Sequence, residues 1–178
     1  MEIIMRSGFI AITGRPNAGK STLLNKIIGE KVAIVSNKPQ TTRTKILGVY
    51  TGDDYQLVLI DTPGIHKPRN KLGQRMEKYI YTATQDIDAL IYVVDCNIGA
   101  AEYELEKESL EGLKTSGIPV ILAVNKIDTM PKLNLLPILD KLGGMYDFSD
   151  IIPISAQKGT NVGELLDKIK EYMKEGPK

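Results

Sequence analysis

The sequence has one cysteine, Cys96, and one histidine, His66, and it lacks an excess of either charge: 23 basic residues against 22 acidic ones leave +1. A single thiol excludes an intrachain disulfide, so a reducing compartment is the simpler assumption. The balanced charge argues against a domain that grips nucleic acid by itself, because phosphate contacts need a surplus of Lys and Arg. If RNA is a partner, most of the grip is expected outside these residues. Long apolar runs are missing as well. Stretches such as 89–94 and 119–124 fall far short of a membrane span, and residues 1–6 are too short and too charged for a signal peptide. There is no repeat, no low-complexity segment and no internal boundary, and 178 residues fit one domain. These absences lead us to expect a soluble, cytoplasmic chain whose membrane contact, if any, is peripheral.

Present instead is an alternation of short apolar runs with longer amphipathic stretches. Strands are predicted at 8–13, 46–51, 55–60, 89–94, 118–124 and 151–154, with 46–60 folded as a hairpin around Gly52, Asp53 and Asp54. Helices are predicted at 21–28, 72–84, 102–115, 133–142 and 161–174, the third of them read as a charged helix. Nearly unbroken Val, Ile and Leu in the strands signals burial on both faces. The expected fold class is α/β, a mostly parallel six-stranded sheet with one antiparallel strand and helices on both faces. Two stretches without periodicity, 36–45 and 63–71, follow strands, which is where α/β proteins place ligands.

Residues Gly14, Arg15, Pro16, Asn17, Ala18, Gly19, Lys20 and Ser21 fit G-x-x-x-x-G-K-[ST] between a strand and a helix. Gly14 and Gly19 are expected to allow backbone angles that turn successive N–H groups toward phosphate oxygens, while the following helix aims its positive end at the same anion. Lys20 supplies a cation for the β- and γ-phosphates, Ser21 a hard oxygen for Mg²⁺, and Thr22 continues the contact surface. The pattern points to a nucleoside triphosphate and leaves the base open.

The base is read from Asn125, Lys126, Ile127 and Asp128, which follow a buried strand. Guanine offers a ring N–H and an exocyclic amine side by side, and one carboxylate accepts both; adenine leaves that carboxylate mismatched. Asp128 takes that role, Asn125 ties the pocket to the phosphate loop, and the aliphatic stem of Lys126 covers the base. Ser155, Ala156 and Gln157 follow the last strand and bring backbone N–H groups toward the guanine carbonyl. Alone, Asn-Lys-x-Asp is an ordinary polar turn. Behind a phosphate loop in this order it reads as a pocket.

Asp61, Thr62, Pro63, Gly64 and Ile65 close another apolar strand. Asp61 is the expected acidic partner of Mg²⁺, through a water, and the Gly64 N–H is placed to bond the γ-phosphate, so that loss of that phosphate releases the loop. A threonine hydroxyl in the segment 39–43 should complete the Mg²⁺ shell; Thr42 is the choice, with Thr41 as the alternative.

The segments 14–22, 38–43, 61–68, 125–128 and 155–156 together resemble translation-factor-related GTPases, and specifically the Era family of bacterial ribosome-assembly GTPases. Segments 38–43 and 61–68 separate Era from the related Der and MnmE proteins, which remain the alternative within GTPases of RNA maturation. Ala18 stands where the family usually has valine. The resemblance implies a Ras-like GTPase domain over 1–178, binding to small-subunit ribosomal RNA and the small ribosomal subunit, and loose association with the inner membrane. A monomer is expected. Era proteins continue into an RNA-binding KH domain, which these residues do not include. The resemblance also implies a K⁺ ion held by Asn17 in place of an arginine finger, making Asn17, Lys20, Thr42, Asp61 and Gly64 the catalytic set. The position where Ras-type proteins orient water with glutamine is Ile65, which cannot do so; His66, Arg15 and Arg43 are weaker substitutes. A guanine-nucleotide binding module with negligible turnover is the competing reading. A phosphate-loop kinase would need an acceptor site and an arginine-rich lid, and neither is evident.

Overall fold

The computed structural model describes residues 6–15, 17–29, 45–52, 54–61, 87–114 and 117–175. Its elements run β1 (Arg6–Gly14), α1 (Lys20–Ile28), β2 (Lys45–Thr51), β3 (Tyr55–Asp61), β4 (Ala89–Asp95), α2 (Ala100–Glu111), β5 (Val120–Asn125), a short 3₁₀ turn (Ile127–Thr129), α3 (Lys132–Gly143), β6 (Asp150–Pro153), α4 (Val162–Lys170) and β7 (Lys174–Glu175). The helix expected at 72–84 lies outside the described residues.

The sheet order is β2-β3-β1-β4-β5-β6, and only β2 runs antiparallel along that path. All six expected strands are there, and the fold class stands. The apolar runs owe their continuity to a period of two within them. In β4, Ala89, Ile91 and Val93 enter one core, while Leu90, Tyr92 and Val94 enter the other. The first core is closed by Leu23 and Ile27 of α1 and by Leu165 and Ile169 of α4. The second is closed by Leu110 of α2 and Leu142 of α3. Helices therefore cover both faces.

Parallel register aligns the carboxyl ends of the strands. Ile12 of β1 pairs with Asp61 of β3, Gly14 with Val93 of β4, and Asp95 of β4 with Asn125 of β5. The phosphate-loop glycine, the strand-end aspartates and the first base-pocket residue thus leave the sheet along one edge, where ligands bind in open α/β folds.

Two expectations need correction. The closing helix, predicted to reach 174, stops at Lys170. Met173 then turns into the core, 7% exposed, and Lys174 and Glu175 pair antiparallel with Ser7 and Arg6 as a seventh strand. Backbone pairing on the open flank of β1 outcompetes one more helical turn. The third helix occupies Ala100–Glu111 rather than 102–115, its start marked by one half of a capping box: the Glu102 carboxylate accepts the Gly99 N–H at 3.2 Å, and glycine has no side chain to reciprocate.

Leu165 is fully buried and Leu133, on α3, is 86% exposed. We predict that Leu165→Ala lowers unfolding free energy by about 3 kcal/mol. Leu133→Ala should change it by less than about 0.5 kcal/mol. Urea denaturation followed by circular dichroism checks both.

Candidate functional site

The phosphate loop joins β1 to α1. Gly19, at the N-cap of α1, has φ +98°, and no side chain caps this helix start. The first turn of α1 also contains no acidic residue. A helix begun this way presents its first N–H groups and its positive end to an external acceptor. What sets this start apart from that of α2, where Glu102 stands in the first turn, is the lack of any carboxylate competing for the site.

Gly19 is required twice over, because a β-carbon there would lie 2.1 Å from the Asn125 side-chain nitrogen as well as facing an unfavourable φ. Gly14 is required for a different reason from the one expected. Its φ is not positive; a β-carbon would sit 2.9 Å from the Val93 carbonyl of β4. Gly14 is a close-packing glycine, and besides Gly19 the described part of the loop has one more left-handed residue, Asn17, at φ +76°. Asparagine tolerates that conformation better than most side chains.

Asn125 holds the site together. It is 2% exposed; its amide donates to the Ala18 carbonyl at 2.9 Å, and its side-chain oxygen accepts the Ala156 N–H at 2.9 Å. The phosphate loop, the end of β5 and the loop after β6 are therefore fixed to one carboxamide. Lys126 adds a second tie. Its ammonium donates to the Asn17 carbonyl at 2.5 Å and lies 3.1 Å from the Asp95 carboxylate. Lys126 itself sits at φ +69°, and that conformation directs the chain into the 3₁₀ turn that carries Asp128.

The Asp128 carboxylate is exposed, and its Oδ1 accepts the Ser155 hydroxyl at 2.8 Å. Ser155 is fully buried and in turn accepts the Lys158 N–H at 3.1 Å. This chain of bonds restrains the rotamer of the exposed Asp128 carboxylate. The loop after β6 uses most of its own backbone donors internally: the Ala156 N–H goes to Asn125, the Ser155 N–H to Thr160, the Lys158 N–H to the Ser155 hydroxyl and the Gly159 N–H to the Ser155 carbonyl.

Some contributors were not evident from sequence. Asp95 reads as the last residue of a strand, yet it positions Lys126 and, through an accepted Asn97 amide at 3.1 Å, joins a network in which Asn97 reaches Thr129 at 2.8 Å. Cys96 is fully buried beneath the pocket and donates to the Lys126 carbonyl at 3.2 Å; burial pushes its thiol pKa up, which keeps it protonated and unreactive. Glu106 of α2 is 1% exposed, and its Oε1 lies 3.7 Å from Arg15 Nε. Of the remaining expected site residues, Lys20, Ser21 and Thr22 stand in the first turn of α1 and Ile127 in the 3₁₀ turn, while Asp61 ends β3 with its backbone beside Ile12. Pro16, Thr41, Thr42, Arg43, Thr62, Pro63, Gly64, Ile65 and His66 lie outside the described residues. Among the described residues no group of three or more His, Cys, Asp or Glu could hold a metal ion, and no helix is long and apolar enough to cross a membrane.

The family model described as "50S ribosome-binding GTPase" matches residues 9–126. The chain belongs to that GTPase family. Within it, the likeness to Era is borne out. The chain is 51% identical over 178 residues to GTPase Era of Clostridium novyi, covering 98% of this chain and 59% of the relative. It is 51% identical over 175 residues to GTPase Era of Alkaliphilus oremlandii, covering 97% of this chain and 58% of that one. Among solved structures, an Aquifex aeolicus Era variant bound to GDP·AlF4⁻ matches with a TM-score of 0.73 and 38% identity, over 97% of this chain and 59% of that chain. An Era complex with MgGDPNP and nucleotides 1506–1542 of 16S ribosomal RNA matches with a TM-score of 0.75 and 37% identity, over 98% and 59%. This GTPase chain thus spans less than two thirds of the length of those relatives.

Ser155→Ala should free the Asp128 carboxylate and weaken GDP binding about tenfold, the equivalent of one hydrogen bond to a charged group. Asn125→Ala strands the Ala18 carbonyl and the Ala156 N–H at once, and we expect it to cost about 3 kcal/mol of stability even without nucleotide. Isothermal titration calorimetry and thermal unfolding separate the two effects.

Proposed function

We propose that this chain is the GTPase domain of a conformational switch: it binds GTP, hydrolyses it to GDP and phosphate, and changes state as the γ-phosphate leaves. The observation that carries the reading is the pinned Asp128 carboxylate, coupled through Asn125 to an open helix N-terminus. One end selects two adjacent donors on a purine edge, and the other takes an anion. Family membership supports the reaction.

In the proposed reaction, the N–H groups at the start of α1 bind the phosphate tail and Lys20 lies along the β- and γ-oxygens. Asp128 holds the base, Lys126 covers it, and the Lys126–Asn17 bond keeps the phosphate loop from drifting from the base during turnover. Ser21, exposed in the first turn of α1, is an oxygen donor of the kind Mg²⁺ takes, and Asp61 ends β3 at the same sheet edge. A Mg²⁺ ion bound there would neutralise charge between the β- and γ-phosphates. Thr42 is assigned to its shell and the Gly64 N–H to the γ-phosphate. The exposed Asn17 carboxamide is a neutral oxygen donor suited to K⁺, which supports giving Asn17 the charge-stabilising role that Ile65 cannot supply.

The Era structure complexed with 16S ribosomal RNA supports a role in small-subunit assembly, although the family's description refers to 50S ribosomes. The balanced charge supports leaving most of the RNA grip to a KH domain that is not among these residues. We further propose a cytoplasmic monomer that associates peripherally with the inner membrane.

Competition of labelled GTP by GTP, GDP, ATP and XTP tests the base assignment. GTP and GDP should displace the label and ATP should not, and Asp128→Asn should shift preference to XTP by about a hundredfold or more. Displacement by ATP as effective as by GTP would end the guanine reading. Single-turnover hydrolysis should run faster in K⁺ than in Na⁺; equal rates would remove K⁺ from Asn17, and no turnover in either would leave a binding module.

A further inference from the structure

Three of the ties described above meet in the phosphate loop, and one has no place yet in the chemistry. The loop is held at Ala18 by Asn125 and at Asn17 by Lys126, both contacts coming from the β5 side. The third anchor is the side chain of Arg15. Its backbone carbonyl accepts the Ala18 N–H at 3.1 Å, so Arg15 opens the loop's own turn, and its guanidinium extends to α2, where Glu106 waits at 3.7 Å.

Glu106 is unusual for its helix. Glu102, Glu104, Glu108 and Glu111 are all exposed, as expected of a charged amphipathic helix, whereas Glu106 is 1% exposed. A carboxylate is taken out of water only where something compensates it. Arg15 Nε, on a side chain about a third exposed, lies within ion-pair reach of Glu106 Oε1 at 3.7 Å, and Tyr92 of β4 adjoins the carboxylate from the core side. Tyr92 is kept un-ionised first by burial and then by the neighbouring Glu106 charge. A cavity of about 230 Å³ lies between the loop and α2, with Arg15 and Asn17 on the loop side, Glu102 and Glu106 on the α2 side and Val93 and Val94 at the end of β4. The ion pair spans the gap.

We propose that Glu106 is a positioning residue for nucleotide retention: through Arg15 it fixes the opening of the phosphate loop to α2 and keeps the loop in its anion-ready form. The α1 side of the loop rests on one face of the sheet and α2 on the other. The pair therefore clamps the loop across the sheet edge, and it engages Arg15 with α2 instead of leaving it free as a substitute arginine finger. The inference rests on the phosphate-binding reading of the loop and adds a determinant of how long the nucleotide stays.

The test is the dissociation rate of fluorescent methylanthraniloyl-GDP from the 178-residue chain, chased with excess GDP in Mg²⁺, for Glu106→Gln, Arg15→Met and the double variant. Each single change should speed release about tenfold, and the double variant should be no faster than either single one, the signature of residues acting through one contact. Selectivity for GDP over ADP should stay unchanged, since the base pocket is untouched. Arg15→Lys, which retains the charge, should restore most of the slow release. Single variants with wild-type release rates, or a double variant whose acceleration is the product of the two, would overturn the proposal. Should burial make Glu106→Gln fold poorly, Arg15→Met at the more exposed end of the pair still decides: unchanged release there overturns it. If the unaltered chain failed to hold GDP at all, the reading of the site itself would fall, a result distinct from either of these.

Discussion

The structure of the site depends on one buried carboxamide. Asn125 can satisfy its amide and its oxygen only if the Ala18 carbonyl and the Ala156 N–H are both in place, and those two groups belong to different loops. In a low-dielectric setting an unmade bond of this kind costs more than a made one contributes, so the carboxamide couples the order of the three segments. The requirement for glycine at 19 follows directly, since the amide occupies the volume any β-carbon would need. So does the coupling of base to phosphate. A ligand that engages Asp128 rests on a frame that is already shared with the loop beneath its phosphates.

Much of this was legible in the sequence, for identifiable reasons. The phosphate loop and the base pocket are local patterns in which residue type, order and flanking strand are all fixed by the ligand, so residues 14–21 and 125–128 declare themselves. The strands were legible because burial on both faces demands unbroken apolar runs. What escaped was long-range. Glu106 has the composition of a solvated helix face, and only the placement of Arg15 explains its burial. Asp95 looks like a strand end until Lys126 is seen beside it. The two-residue β7 carries no periodicity, and its pairing depends on an open flank of β1 that no local window contains. The backbone freedom expected of Gly14 is not what it supplies: the constraint is the Val93 carbonyl, from a strand almost eighty residues away. The expected switch residues, Thr42 and Gly64 among them, lie outside the described residues.

The loop after β6 illustrates how a site divides labour. Its sequence suggests generic backbone donors, yet the Ser155 hydroxyl orients the Asp128 carboxylate, the Ala156 N–H secures the frame, and Gln157 is exposed. Neighbouring residues thus act on different targets.

Lys126 shows how such a frame constrains sequence change over generations. A lysine held at φ +69° stores about 1 kcal/mol of backbone strain that glycine would not. Selection for heat resistance alone would therefore drift this position toward glycine, relaxing the backbone while deleting the ammonium that joins Asp95 to Asn17. Lineages that keep the lysine forgo that gain in durability, so residue 126 marks a point where endurance of the fold and fidelity to its ligand pull an evolving gene in opposite directions.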